Sequence, residues 1–215
     1  MIRTIVVDDS ALIRQMLSEM LNAARDIEVF DTANDPYDAR EKIKRLYPDV
    51  ITLDVEMPKM DGITFLRNIM RLRPMPVIMI SSLTQEGADL TLEALDIGAV
   101  DYVAKPQANV SQTLGDYAEQ IHAKVRMAAS AKVHGRSAPR EATPKHGAGL
   151  VLPKRKPGDL QSTEKLIAIG ASTGGTEAIR KVLEQLPPDS PAVVIAHHIP
   201  QAFSGAFADR MDRSC

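Results

Sequence analysis

The fold turns on residues 50–62, VITLDVEMPKMDG, where a short apolar run closes on an aspartate, Asp54, just before a helical pattern begins. The same grammar recurs on both sides of it. IRTIVV, IEVFDTA, PVIMISS and DYVAK are further short apolar runs rich in β-branched residues. Between the runs lie ALIRQMLSEMLNAA, DPYDAREKIKRL, GITFLRNIMRLR and GADLTLEALDIGA, with apolar residues three and four apart, and SQTLGDYAEQIHAKVRMAAS follows the last run. Spacings of three and four are the helical period. Five strands alternating with five helices predict βαβ units. The fold class expected is therefore α/β, a five-stranded parallel doubly wound sheet covered on both faces.

Bulk properties narrow the function. The 215 residues suffice for one large or two small domains, and 44% apolar with 25% charged residues is ordinary for a soluble globular protein. A formal net charge of −2 argues against a dedicated nucleic-acid binder, which would carry a basic stripe. No apolar run approaches bilayer length, so membrane insertion is not expected. The opening MIRTIVVDDS lacks the shape of a signal peptide. The single cysteine, Cys215, rules out an internal disulfide, and the expected location is a reducing cytoplasm. With no Trp and 4% aromatics, the cores must be aliphatic and methionine-rich.

Composition divides the chain. Residues 1–128 carry the five-strand pattern. Residues 129–164, rich in Pro, Gly, Ser, Lys and Arg and without periodicity, read as a flexible linker whose PKRKP cluster serves solubility. Residues 165–215 hold KLIAIGA, TEAIRKVLEQLP and AVVIAHH, a strand–helix–strand unit, and then the start of another helix. A lone βαβ unit cannot bury both faces of its strands. This segment is therefore expected to be the first part of a second α/β, Rossmann-like domain.

The first candidate site is acidic. Asp8 and Asp9 follow the strand TIVV, and Asp54 closes VITL. The carboxyl ends of parallel strands share one edge, where ligands bind. Three converging carboxylates repel one another unless a cation intervenes, and oxygen ligands suit a hard divalent ion, Mg²⁺. Ser81 and Lys105 end two further strands at that edge and would cradle a phosphoryl group. A cis bond before Pro106 would aim Lys105 inward. Taken alone, Asp8 and Asp9 also suit a helix start, and Ser10 suits its cap.

VVDDS, LDVEMPKMDGITFL, PVIMISS and DYVAKP resemble the response-regulator receiver domain, a flavodoxin-like fold, over residues 1 to 125. The resemblance implies that Asp54 accepts phosphate from a histidine kinase. It implies Mg²⁺ on Asp9, Asp54 and the Glu56 backbone carbonyl, with Asp8 acting through water. Ser81 would hydrogen-bond the phosphoryl group and Lys105 would pair with it. Tyr102 would be either an aromatic switch or a packing residue.

The second candidate site is a serine. GASTG, residues 170–174, fits G-x-S-x-G between a strand and a helix, the setting of a nucleophile elbow at Ser172. The following helix start offers backbone donors to an oxyanion. Gly170, Gly174 and Gly175 equally suit a phosphate cradle, but the spacing is not G-x-G-x-x-G and no P-loop lysine follows. His197 and His198 end the next strand on the same edge. Neighbours on a strand point to opposite faces, so one of them should reach the serine and act as base.

The pairing of a receiver and a linker with IGASTGGTEAI and VIAHHIPQAFSGAFADRM closely resembles the chemotaxis protein-glutamate methylesterase (CheB) family. The resemblance implies Ser172 as nucleophile, His198 as catalytic histidine, His197 at a position where glutamine is common, and Thr173 beside the nucleophile. It implies glutamate methyl esters of methyl-accepting chemoreceptors as substrate, with glutamine deamidation as a second activity and no cofactor at the esterase site. The implied partners are those receptors and a chemotaxis histidine kinase. Phosphorylation of Asp54 would relieve inhibition by the receiver. The family's third triad member, an aspartate, lies far beyond the histidine. Asp209 and Asp212, the only aspartates after His198, are expected to face solvent. The 215 residues are accordingly expected to be an incomplete and poorly active esterase. The alternative is a phospho-receiver that signals through protein contacts alone.

Overall fold

The computed structural model describes residues 1–82, 84–105, 114–131, 133, 165–187 and 189–215. The possible cis bond at Pro106 and almost all of the linker lie outside the described residues. The first seven tenths of the described chain run β1 (Ile2–Val7), α1 (Ala11–Asn22), β2 (Ile27–Ala33), α2 (Pro36–Leu46), β3 (Val50–Asp54), α3 (Gly62–Leu72), β4 (Val77–Ser81), α4 (Gln85–Ile97), β5 (Asp101–Ala104) and α5 (Leu114–Ser130). The five strands form one parallel sheet in the order β2-β1-β3-β4-β5.

Strand alternation explains the two layers. Ile5 and Val7, Ile51 and Leu53, and Val77 and Met79 bury against α2, α3 and α4. Val6, Val50, Ile78, Ile80 and Val103 point the other way, onto Leu17, Leu21, Ile121 and Val125 of α1 and α5. Both faces are covered, which is why these strands read as continuous apolar runs rather than alternating ones. Helix starts follow capping chemistry. The side chains of Ser10, Asp35, Asp61 and Thr84 each accept a first-turn N–H, and Pro36 opens α2.

The second segment comprises β6 (Leu166–Ala171), α6 (Gly175–Leu183), β7 (Ala192–His197) and α7 (Gln201–Ser214), with β6 and β7 parallel. The stretch TEAIRKVLEQLP reads as one helix, but α6 ends at Leu183 ahead of Pro187, and proline disfavours helix in the residue before it. Burial alternates strictly along β6 and β7. One face packs beneath α6 and α7, and the other is open, with Leu166 and Val194 exposed. The segment does not stand alone. Ile179, Phe203, Ala206, Phe207 and Met211 join Leu92, Leu95, Ala99 and Tyr102 of the first unit in one continuous apolar cluster.

Candidate functional site

Register builds the acidic site. The β1–β3 ladder ends with Val7 opposite Leu53, so Asp8 and Asp54 follow at the same level. Both are fully buried, whereas Asp9 is exposed. Carboxylate oxygens of Asp8, Asp9 and Asp54 lie within 4.8 Å of one another. Lys105 Nζ donates to Asp54 Oδ2 at 2.8 Å and sits 3.6 Å from Asp8 Oδ2. The Glu56 N–H donates to Asp54 Oδ1 at 3.2 Å, and the Ser10 N–H to Asp8 Oδ1 at 2.9 Å. Gly62 closes the loop over the site. A Cβ there would lie 1.9 Å from the Asp54 carbonyl oxygen, so only glycine fits.

Electrostatics follow from burial. Desolvation pushes the Asp54 carboxyl up to about 6, although Lys105 opposes it. Desolvation also raises Asp8, again against Lys105. Burial works against the Lys105 charge, but the bond to Asp54 and the carboxylates around it outweigh that and raise it overall. One ammonium thus faces three carboxylates, and Asp8 Oδ2 is buried without a hydrogen-bond partner. An oxygen-only donor set with an unsatisfied buried carboxylate oxygen fits a hard divalent cation, and the cluster could bind Mg²⁺.

Other expected residues fall nearby with different attachments. Ser81 is fully buried at the end of β4, and its hydroxyl donates to the Gly87 carbonyl at 3.1 Å, not to Asp54. The exposed Glu56 side chain accepts from Ser82 Oγ at 3.1 Å. Tyr102 is buried, stacked on Phe203 with ring centroids 4.8 Å apart, and the Lys124 ammonium lies 5.1 Å from its ring centre.

Around the serine, Gly174 adopts a left-handed φ of 73° and Gly175 opens α6. The Ser172 carbonyl accepts from the Gly175 N–H at 2.7 Å. Gly175 also admits a close neighbour, since a Cβ on it would meet His197 Nε2 at 2.8 Å. Ala171 pairs with His197, and the His198 N–H donates to the Ala171 carbonyl at 3.0 Å, so Ser172 and His198 come next in register. Both are exposed, on the side of the open face. His197 turns to the covered face, edge-on to Phe207 at 5.4 Å, with Nδ1 buried and unpartnered. Among the described residues, the Ser172 hydroxyl makes no hydrogen bond to either imidazole, and no carboxylate lies within ion-pairing distance of His198. Thr173, Asp209 and Asp212 are exposed.

Sequence reasoning missed the contacts that join the two units. Asp101, at the start of β5, is buried. It accepts from the Gly174 N–H at 2.9 Å and the Tyr102 N–H at 2.8 Å, and pairs with Lys124 at 2.9 Å. Arg210 of α7 bridges Asp96 of α4 and Glu177 of α6. The one sequence signal for Asp101 is a carboxylate opening an otherwise apolar strand.

Residues 4–114 match the response regulator receiver domain, which is more than half of the chain. The chain belongs to the response regulator receiver family, and joined to the receiver is part of a CheB methylesterase region, matched over residues 167–215. Among curated relatives, a protein-glutamate methylesterase/protein-glutamine glutaminase of Xanthomonas oryzae pv. oryzae is 56% identical over 99% of this chain and 59% of its own length. One from Hydrogenovibrio crunogenus is 50% identical over 98% of this chain and 62% of its own. The chain thus spans about three fifths of the length of these relatives. The crystal structure of the response regulator domain of Thermotoga maritima CheB is 45% identical, with a TM-score of 0.55, covering 61% of this chain and 98% of that one.

Proposed function

We propose that residues 1–128 form a phosphorylatable receiver and that residues 129–164 link it to residues 165–215, the first part of a serine esterase catalytic domain. The whole protein would hydrolyse glutamate methyl esters, and deamidate glutamines, on chemoreceptors. The observation that carries this reading is the pairing of two strand-edge sites in one chain: the Lys105–Asp54–Asp8 cluster, and Ser172 in register with His198.

In the receiver, an Asp54 oxygen attacks the phosphorus of a kinase phosphohistidine. A P–O bond forms, the P–N bond breaks, and the imidazole leaves. Lys105 orients the attacking carboxylate and balances charge on the transferred group, and Ser81 releases Gly87 to reach it. Asp9, Asp54, the Glu56 carbonyl and, through water, Asp8 would hold Mg²⁺, which supplies neutralisation of phosphoryl charge. In the esterase, Ser172 Oγ attacks the ester carbonyl while His198 takes its proton and returns it to the departing methanol, or to ammonia from glutamine. Water then cleaves the acyl-enzyme. The α6 N-terminus faces the oxyanion. The partners in this reading are a chemotaxis histidine kinase and methyl-accepting receptors, in the cytoplasm. No helix among the described residues is long and apolar enough to cross a membrane.

Acetyl phosphate with Mg²⁺ should add one phosphoryl group to this chain, detected by intact mass, and Asp54→Asn should abolish it. Equal labelling of that variant would place the acceptor elsewhere. Protein of the relatives' length should release methanol from methylated receptors and lose this in Ser172→Ala; an undiminished rate would reject the nucleophile. The 215 residues alone should show little activity. A second reading is a phospho-receiver acting only through protein contacts; among the described residues no carboxylate lies within ion-pairing distance of His198. Methanol release by the longer protein would eliminate it.

A further inference from the structure

A cavity of about 330 Å³ lies between α2 and α3. None of its lining comes from α6 or α7, which pack on α4 and β5 instead. Phe65 and Ile69 are buried and form its apolar floor. Leu72 stands at its rim, an apolar side chain with 67% of its surface exposed. Three arginines share that rim: Arg40, Arg71 and Arg73.

Charge sets this rim apart from the rest of the helix pair. The other cations of α2 and α3, including Lys44 on the cavity lining, are neutralised: Lys42 by Asp38, Lys44 by Glu41, Arg45 by Asp31 and Arg67 by Glu93. None of the three rim arginines has a carboxylate within ion-pairing distance among the described residues. Arg71 donates to the Asn68 side-chain oxygen at 3.3 Å. Arg73 donates to the Ile43 carbonyl at 3.0 Å and lies 4.2 Å from the Tyr47 ring centre. Each guanidinium therefore keeps donors for an outside acceptor.

We infer that the α2–α3 cavity docks an acidic peptide segment of a partner protein. One large apolar side chain enters between Phe65 and Ile69, and flanking carboxylates meet Arg40, Arg71 and Arg73. The volume has ample room for one large apolar side chain, and apolar pockets ringed by a few directed polar groups are a common form of binding site. A second copy of this chain fits poorly, because a two-fold interface would set these arginines against their own copies. Nucleic acid fits poorly too, since it needs a continuous basic stripe and has no side chain for a closed apolar floor.

The test titrates ¹⁵N-labelled full chain with a pentapeptide carrying phenylalanine between two pairs of glutamates. The expected result is amide shifts confined to residues 37–47 and 60–73, with affinity falling as salt rises. The exposed substitutions Arg40→Glu and Arg71→Glu together should weaken binding at least about tenfold, as two lost charge pairs imply. The same peptide with lysines in place of glutamates should not bind. The inference is overturned by no shifts at about 1 mM peptide, by shifts mapping elsewhere, or by equal binding of the lysine peptide. It is also overturned by a single-stranded oligonucleotide shifting these amides more strongly than the peptide, or by sedimentation showing that the same face closes a dimer.

Discussion

The backbone N–H of Gly174 donates to the Asp101 carboxylate at 2.9 Å, which ties the turn carrying Ser172 to the last strand of the receiver. The same carboxylate neutralises Lys124, itself buried. Asp101 thus links the start of β5 directly to the serine turn, with Tyr102 stacked on Phe203 beside it.

Removing that carboxylate should uncouple the units. Asp101→Ala leaves the Lys124 ammonium buried without a counter-charge, at a cost on the order of 3 kcal/mol. Hydrogen exchange of residues 172–183 should then accelerate at least tenfold while β1 and β3 keep their protection. Unchanged exchange around Ser172 would show that Asp101 does not hold the turn.

Phe203→Ala should act through packing alone. Phe203 is fully buried between the units, and truncating such a residue costs about 3–5 kcal/mol. The loss should appear as early, separate melting of α6 and α7 in hydrogen exchange, with the receiver transition little changed. A single cooperative transition shifted as a whole would mean that the two units unfold together.

Gly62→Ala tests the loop over the acidic site. The added methyl would overlap the Asp54 carbonyl oxygen and force β3 and α3 apart. Overpacking of this kind costs roughly 1–3 kcal/mol or more. Because the displaced atom belongs to Asp54 itself, labelling by acetyl phosphate should fall along with stability in urea. Wild-type labelling would show that the loop adapts without moving the aspartate.

Much of this was legible in the sequence, for identifiable reasons. The receiver strands bury both faces, so their apolar runs stand out against helices with spacings of three and four. The convergence of Asp8, Asp9 and Asp54 was legible because parallel strands end at one edge. The opposite facing of His197 and His198 followed from strand alternation. The bond from Ser81 to Gly87 was not legible, since a hydroxyl at a strand end has several acceptors in reach. Nor was the docking of the second segment. Asp101 and Gly174 lie 73 positions apart, and no periodicity encodes which apolar helix face meets which partner.

In metal-free protein the Asp54 carboxyl should cost the receiver stability as pH rises from about 4 to 6. Asp54 has its carboxyl raised to about 6, so between the unfolded value of 3.8 and that point the folded chain binds more protons than the unfolded one. The penalty persists above pH 6. Asp54→Asn removes it, and in EDTA at pH 8 the variant should be more stable by about 1–2 kcal/mol, allowing for solvent screening. At pH 4 the two proteins should coincide. Urea titrations across this range check it, and a variant less stable than wild type at pH 8 would show that the carboxylate is held by more than Lys105.

His197 sets the opposite slope at the second site. Burial lowers it below its usual 6.5, and Lys124 and His198 push the same way, whereas the Ser172 backbone and Asp101 oppose. Below pH 6.5 the unfolded chain takes up a proton that the folded chain refuses, so stability of the second segment is full above 6.5 and falls as pH drops beneath it. Acidification should raise hydrogen exchange in α6 and α7 before the receiver responds. His197→Gln keeps a polar side chain against Gly175 without a titrating group, so it should abolish that early loosening. Imidazole NMR should place the His197 midpoint below 6.5. A His197 midpoint at or above 6.5, or loosening that survives the glutamine variant, would move the acid sensitivity to another group.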